Sequence, residues 1–256
     1  MADDLYDWPA LYDLVLQPDP AMEQFYVTAA GGAGRHVLDL ACGTGRFTLP
    51  LARSGAEVIG GDISESMLAA ARRRLEAAGL AISFVAMDMR DFDLGQRFDA
   101  VTIAANSLLH LTDTSEILSF LAAVKHHLAP GGRLVFDIFV PSARLLSLPG
   151  NVRETLGEFA HPELGMITVE ETIAYDPIRQ VSRADWYWSR PGHGDFLHTP
   201  LTMRQIYPQE LPLLLERGGF RLVERFGDFE RGALTAKSMR QVVICAPADE
   251  AIDKSV

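Results

Sequence analysis

The sequence predicts an α/β protein, with a doubly wound, mostly parallel sheet and a small antiparallel β insertion. Short apolar runs alternate with helical stretches from His36 to Val140, a rhythm typical of β-α-β units with right-handed crossovers. After Pro141 the runs alternate between apolar and polar residues, which indicates antiparallel strands with one exposed face. The strand–helix rhythm returns near residue 207 and predicts the completion of the main sheet.

The predicted core strands are short apolar runs, as expected of a parallel sheet that is covered on both faces. They are HVLDLAC, EVIGGD, AISFVAMD, FDAVTIAA and RLVFDIFV. Three helices are predicted between them. They are FTLPLARSG, which Gly55 closes, SESMLAAARRRLEAAG, with Ser64 as N-cap and Gly79 past its end, and TSEILSFLAAVKHHLAPGG, which Pro130 stops.

These patterns divide the chain into five predicted segments. Residues 1–35 form a helical lid whose aromatic side chains, including Tyr6 and Tyr12, pack across a cleft. The other segments are an α/β core at 36–140, an antiparallel cap at 141–200, a C-terminal completion of the core sheet at 201–247 and a frayed tail at 248–256. The cap is predicted to contain three strands, MITVEETIAYD, QVSRADWYWS and LHTPLTMRQIY.

Composition restricts the partners and the compartment. The net charge of −11 argues against nucleic acid or an anionic membrane as a partner, because both are polyanions. The first residues lack the basic and apolar regions of a signal peptide, and the two cysteines lie in apolar strand-like runs. We therefore expect a cytoplasmic protein with reduced thiols. No Cys/His cluster has metal-ligand spacing, so no metal is expected.

Polar and glycine residues follow the first three predicted strands. The loop DLACGTG after the first strand contains Gly43 and Gly45, Asp62 ends the second strand, and Asp88 ends the third. Each feature alone is explained by a turn or a cap, but the carboxyl ends of parallel strands share one edge, where ligands bind. An acid at the second strand end accepts hydrogen bonds from ribose hydroxyls. Thr48 stands where a dinucleotide motif has its third glycine, so an adenosine ligand with a short amino-acid tail is predicted.

Four stretches strongly resemble class I S-adenosylmethionine-dependent methyltransferases: VLDLACGTGRFTLPLA, VIGGDISESML, AMDMRDF and LAPGGRLVFDIF. The resemblance implies a Rossmann-like seven-stranded sheet with the last strand antiparallel, S-adenosylmethionine as cofactor and S-adenosylhomocysteine as product. It also implies three groups of cofactor-binding residues. Asp39 and Gly43 hold the methionine end, Asp62 binds the ribose, and Ile63, Met67, Asp88 and Met89 contact the adenosine; Ala41, Gly45 and Ala105 are further expected cofactor-binding residues.

The stretch NSLLHL after the fourth strand is similar to glycine N-methyltransferases and to aminosugar N,N-dimethyltransferases. The resemblance implies that Asn106 positions the acceptor, with His110 as a proton acceptor whose ordinary pKa of about 6.5 suits this role. Tyr6 and Tyr12 are expected to close over the site. Phe139 occupies the place of an acceptor-binding arginine, for which Arg144 is the candidate substitute. Trp186 and Trp188 are candidate substrate contacts in the cap, although packing explains them equally well.

Together these patterns predict methyl transfer to a small-molecule acceptor, with an amine favoured. The alternatives are a small-molecule O-methyltransferase, a non-catalytic S-adenosylmethionine-binding regulatory module and a nicotinamide-dependent oxidoreductase. The expected catalytic residues are His110, Asn106 and Tyr6, and the expected acceptor contacts are Tyr12, Asn106, Arg144, Trp186 and Trp188. A homodimer is the expected assembly.

Overall fold

Two sheets organise the protein, which is described by a computed structural model over residues 4–17 and 19–248. The strands are β1 (His36–Leu40), β2 (Glu57–Asp62), β3 (Ser83–Ala86), β4 (Phe98–Ile103), β5 (Leu128–Phe139), β6 (Glu154–His161), β7 (Gly165–Asp176), β8 (Val181–Arg190), β9 (His193–Arg204), β10 (Phe220–Phe226) and β11 (Arg240–Pro247). The tail predicted at 248–256 lies outside the described residues from residue 249 onward.

The helices connect the strands of the main sheet and precede it. They are α1 (Pro9–Val15), α2 (Pro20–Ala30), α3 (Thr48–Arg53), α4 (Glu65–Ala77), α5 (Thr114–His127), α6 (Ala143–Leu146) and α7 (Leu211–Arg217), with short 3₁₀ helices at Leu5–Asp7 and Ser107–His110. Within residues 4–17 and 19–248, none of these helices combines the length and the apolar character needed to cross a membrane.

The main sheet has seven strands in the order β3-β2-β1-β4-β5-β11-β10. All neighbours are parallel except β11, which runs antiparallel to both β5 and β10. This confirms the predicted seven-stranded, mostly parallel sheet with an antiparallel last strand. The chain order reverses between β1 and β4, and a ligand crevice is expected beyond the carboxyl ends of these two strands.

Side chains of the central strands alternate between two apolar layers. Leu38 and Leu40 of β1 pack in a cluster with residues of α5 and α7, whereas Val37 packs in a second cluster with Phe25 and Tyr26 of α2. This alternation follows from the two-residue period of a strand. Helices cover both faces of the sheet, which leaves the strand ends as the place for a ligand.

Local signals fix the helices that flank the crevice. The Ser64 Oγ accepts a hydrogen bond from the Met67 N–H at 3.3 Å and begins α4, and Gly79 follows its end with φ +73°. Helix α5 begins with a capping box of Asp113 and Glu116. It ends at His127, earlier than the predicted stop at Pro130, because β5 already begins at Leu128 and pairs with Phe98 of β4.

The insertion forms an antiparallel sheet in the order β6-β7-β8-β9, here called the cap sheet. Its last strand ends at Arg204, four residues past the predicted segment boundary at 200, and its first strand, β6, was not predicted. One face packs on the N-terminal segment (residues 4–17 and 19–30). Leu5 and Leu11 share a buried cluster there with Ile167 and Trp188 of the cap sheet. The N-terminal segment therefore touches the cap sheet as well as the main sheet.

Candidate functional site

Backbone strain is concentrated where β1 and β4 end. Ala41 follows β1 with φ 49°, and Ala105 and Asn106 follow β4 with φ 57° and 63°. Residues other than glycine rarely adopt this left-handed region, and such residues are common at functional sites. The strained positions thus lie at the crevice that the sheet topology predicts.

A cavity of about 250 Å³ opens beyond the ends of β1, β2 and β3. Its walls are mainly apolar, and the exposed Ile63 contributes to them together with Met87, Met89 and Leu111. Two of the predicted acids, Asp62 and Asp88, supply polar groups at its edge. An apolar slot with a few polar groups matches a flat heterocycle that is joined to a sugar.

Asp62 links the loop after β1 to the end of β2. Its Oδ2 accepts a hydrogen bond from the Gly43 N–H and its Oδ1 accepts one from the Ser64 N–H, both at 2.8 Å. Burial raises the pKa of this carboxyl, and the two backbone hydrogen bonds oppose the rise. Each oxygen can still accept a second hydrogen bond, so the carboxylate can hold two ligand hydroxyls.

Asp88 lies at the third strand end but is already paired. Its carboxylate accepts hydrogen bonds from the Arg90 guanidinium, with 2.6 Å between Oδ2 and Nη2, and Arg90 also pairs with Glu116. Hydrogen bonds from Arg90 lower the pKa of Asp88. This pairing was not predicted, and an adenine amino group would have to share the carboxylate with Arg90.

Met67 and Gly45, two predicted cofactor contacts, do not line this cavity. Met67 is fully buried and does not line the cavity; it packs inside α4. Gly45 faces the same helix, where a Cβ would lie 3.0 Å from Leu75 and 3.1 Å from Ala71. Gly45 therefore lets the cofactor loop (residues 41–47) approach α4 closely, and the predicted cofactor contacts of both residues stay predictions.

A second, narrower cavity lies beside the cofactor loop, between β1 and β4. Asp39, Ala41, Arg46, Ala105 and Tyr12 are among its lining residues. The Asp39 carboxylate accepts hydrogen bonds from Thr48 Oγ1 at 2.6 Å and from Thr102 Oγ1 at 2.9 Å, and burial raises its pKa to about 6. The Arg46 guanidinium was not predicted here, and it gives the cavity a cation opposite this acid.

The N-terminal segment is held on the cofactor loop by Asp13, another residue that was not predicted. Its carboxylate accepts hydrogen bonds from Thr44 Oγ1 at 2.7 Å and from Arg46 Nη2 at 3.2 Å, and it also pairs with Arg74. The nearby Tyr12 ring lies over Gly43, 3.9 Å from where a Cβ would be. Tyr12 thus lies over the loop because the contacts of Asp13 with Thr44, Arg46 and Arg74 hold α1 against it.

We expect Asp13→Ala to increase the rate at which S-adenosylhomocysteine dissociates by about tenfold. The substitution leaves Arg46 and Arg74 without their shared acceptor, and a charge-assisted hydrogen bond of this kind contributes about 1.5–3 kcal/mol. Stopped-flow fluorescence measures the dissociation rate. Asp7→Ala, an exposed acid on the same segment, is the matched control, and equal rates for both variants would contradict the closing role of Asp13.

Tyr6 and His110 form a close pair at the outer end of the site. The Tyr6 hydroxyl lies 2.6 Å from His110 Nε2, and the two rings meet edge to face with 5.5 Å between centroids. Burial raises the pKa of Tyr6 well above its ordinary value and lowers that of His110. At neutral pH the phenol is therefore protonated and the imidazole uncharged, so Nε2 is able to accept the phenol hydrogen.

Asn106, at the end of the strained segment after β4, carries an unsatisfied polar atom. Its Oδ1 is buried without a hydrogen-bond partner among the described residues. The preceding Ala105 N–H donates to Asp137 Oδ1 at 2.9 Å, and the Tyr26 hydroxyl donates to the same oxygen at 2.6 Å. Asp137, whose pKa burial raises, was not predicted; it fixes the strained backbone that presents Asn106.

A third cavity, of about 280 Å³, lies between the end of β5, α6 and the cap sheet. Trp186 lines it, whereas Trp188 is fully buried and donates its Nε1–H to Thr199 Oγ1 at 2.9 Å. Arg144 does not line it either, because its guanidinium is largely exposed and pairs with Glu154 at 3.3 Å. Of these three predicted acceptor contacts, the structure places only Trp186 on the cavity.

Two of these cavities border the same opening. His110 lines both the 250 Å³ cavity and an opening that also contains Tyr6 and Leu201. Leu201 in turn lines the cavity beneath the cap sheet. The Tyr6–His110 pair therefore lies at the edge of a nucleoside-shaped slot, and the opening beside it borders a second, largely apolar chamber, an arrangement suited to transfer of a group from one bound molecule to another.

Comparison with known proteins identifies the fold and the family. Residues 37–132 match the family described as "Methyltransferase domain". The structure of the CcbJ methyltransferase from Streptomyces caelestis is 30% identical and superposes with a TM-score of 0.81 over 96% of this chain and 99% of that one. The chain belongs to the class I S-adenosylmethionine-dependent methyltransferases. S-adenosylmethionine is accordingly the cofactor of this methyltransferase, and S-adenosylhomocysteine is its product.

Curated relatives of this methyltransferase act on different kinds of molecule. The cypemycin N-terminal methyltransferase of a Streptomyces species is 31% identical over 174 residues, 66% of this chain and 69% of that protein. An N,N-dimethyltransferase of dTDP-3-amino-3,6-dideoxy-α-D-glucopyranose from Streptomyces fradiae is 43% identical over 101 residues, 40% of this chain and 38% of that protein. Other curated methyltransferases match over about two fifths of their length. The finer resemblance to glycine N-methyltransferases stays a prediction.

Proposed function

We propose that this methyltransferase transfers a methyl group to the nitrogen of a small-molecule amine. The observation that carries the proposal is the Tyr6–His110 pair, uncharged at neutral pH and placed between the cofactor slot and the chamber beneath the cap sheet. An amine arrives mostly protonated and must lose a proton before its lone pair can react. Relatives named as an aminosugar N,N-dimethyltransferase and as the cypemycin N-terminal methyltransferase support the same reaction class.

The residues of the crevice fit the cofactor in three parts. Asp62 would hold the ribose hydroxyls, and Ile63, Met87 and Met89 would enclose the adenine with Asp88 at its edge. Arg46 and Asp39 would face the carboxylate and the ammonium group of the methionine end. S-adenosylmethionine, when bound, supplies the methyl group on a positively charged sulfur, which needs neither a metal nor a nucleophilic side chain.

Proton removal is assigned to Tyr6 and His110 together. The Tyr6 oxygen takes a proton from the acceptor ammonium group while its own hydrogen passes to His110 Nε2 across 2.6 Å. The N–H bond of the acceptor breaks, an O–H bond re-forms on Tyr6, and His110 becomes the imidazolium. Because burial lowers the pKa of His110, the ring starts neutral and returns its proton readily to solvent.

Asn106 is assigned to orient the acceptor. Its unpaired Oδ1 can accept a hydrogen bond from the acceptor nitrogen, and such a bond directs the nitrogen lone pair away from the amide. The Asp137 network holds the backbone on either side of this residue. Holding two reactants in line in this way contributes several kcal/mol to catalysis.

A transfer assay with labelled S-adenosylmethionine tests the proposal against its alternatives. We expect label in small primary or secondary amines and none in the alcohols of the same skeleton. Transfer to the alcohols alone would make the protein an O-methyltransferase. Cofactor binding without transfer to any amine or alcohol would indicate a regulatory module that binds S-adenosylmethionine, and tight NAD binding would favour an oxidoreductase.

A further inference from the structure

The chamber beneath the cap sheet contains one ionisable side chain, Glu171, among the described residues that line it. Its other lining residues are apolar, such as Leu145, Ile173, Trp186 and Met239, or carry a neutral hydroxyl or amide group. Glu171 reaches the chamber because alternate residues of β7 face inward, and Ile167 and Val169 precede it on the same face. Glu170, its neighbour, faces outward and pairs with Arg153.

The Glu171 carboxylate has a weak partner for so apolar a position. Its Oε2 accepts a hydrogen bond from the neutral Trp186 Nε1–H at 3.2 Å. The nearby Arg144 is engaged outside the chamber with Glu154, the residue opposite Glu171 on β6. A carboxylate on an apolar wall is costly unless a cation or several donors satisfy it. Among the described residues that line the chamber, no cation pairs with Glu171, and a positively charged ligand could take that place.

Glu171 is too far from Tyr6 and His110 to contact the nitrogen that reacts. It lies opposite Trp186 on β8, which lies opposite Thr199 on β9, two residues before Leu201 at the opening. Two inter-strand spacings separate Glu171 from that strand by about 10 Å. A group bound at Glu171 and a nitrogen beside Tyr6 are thus opposite ends of one acceptor.

We propose that the acceptor is bifunctional, with a protonated amino group at Glu171, an apolar body across Trp186 and Leu201, and the reacting amine beside the Tyr6–His110 pair. This inference rests on the proposed function, because it takes the chamber as the acceptor site. A chamber of about 280 Å³ admits a body of single-ring size. Glu171 then selects the acceptor by charge at a distance from the reacting atom.

Binding measurements on the full chain, loaded with S-adenosylhomocysteine so that no transfer occurs, test this proposal. The probes are 1,4-bis(aminomethyl)benzene and 4-methylbenzylamine, in which a methyl group replaces one aminomethyl group. We expect the wild-type protein to bind the diamine about tenfold more tightly, since a buried charge pair is being completed. Glu171→Gln abolishes the difference, whereas Glu170→Gln, on the opposite face of the same strand, retains it.

A preference that survives in Glu171→Gln would overturn the proposal, as would a wild-type protein that binds the two probes equally or binds neither. Thermal unfolding of both variants shows that the cap sheet remains folded. The labelled-transfer assay is independent of these measurements. A protein that methylates monoamines yet shows no diamine preference would refute the Glu171 site alone, and one that prefers the diamine but transfers nothing would refute only the N-methylation.

Discussion

His110→Ala is expected to lower kcat about 100-fold and to leave the affinity for S-adenosylhomocysteine unchanged. The substitution removes the acceptor for the Tyr6 hydrogen, and general-base assistance of this kind typically contributes a factor of 10²–10⁴. His110 lines the outer end of the cofactor slot, where Leu111 and the methionine side chains still enclose the nucleoside. Steady-state kinetics and calorimetry separate the two effects.

The pH dependence of kcat/KM also tests the role of His110 as a proton acceptor. His110 acts as its neutral form, and burial lowers its pKa below the ordinary 6.5. We therefore expect kcat/KM of the wild-type protein to rise with pH through this lowered pKa and to level off at a lower pH than an ordinary histidine would give. Tyr6→Phe keeps the ring packing and should reduce kcat as His110→Ala does. Full activity in both variants would make the pair structural.

Asp62→Ala is expected to weaken cofactor binding by about 1–3 kcal/mol, which is a factor of about 5–150. The carboxylate fastens Gly43 and Ser64 and faces the nucleoside cavity, so its loss removes ligand contacts and loosens the cofactor loop. Calorimetric titration with S-adenosylhomocysteine measures the change. Asp91→Ala, an exposed acid beside the same cavity, should bind with wild-type affinity; an unchanged Asp62→Ala would remove this residue from the site.

The main sheet was predictable because its strands carry their own signals. β1, β2 and β4 are apolar runs with Gly43, Asp62 and Asn106 at or shortly after their ends, and the positions of these residues already indicated one shared edge. Strand β6 was missed because half of its residues are exposed and none is buried, so ETLGEFAH lacks the apolar face that marks a strand. Its place in the cap sheet depends on pairing with β7, which local sequence does not encode.

Site residues that lie at or near a strand end could be predicted from the sequence. Site residues that act through contacts between distant segments could not. Asp62 ends β2 and His110 lies in the short 3₁₀ helix after β4, but Asp13 acts through residues 31 to 61 positions away. Arg144 lies next to a residue that lines the chamber, but its guanidinium forms an ion pair with Glu154 on β6. Asp137 and Glu171 did carry a signal in the sequence. Each is an acid within an apolar strand face, a pattern that packing alone does not explain.

The contact of the N-terminal segment with both sheets determines what happens between turnovers. We expect spent cofactor to leave when Asp13 releases the loop, and we expect the same movement to pull Leu5 and Leu11 from the cluster that they share with the cap sheet. Renewal of the cofactor therefore unseals the acceptor chamber. An acceptor that takes two methyl groups is accordingly expected to be modified distributively, with the singly methylated compound accumulating in solution before the doubly methylated one.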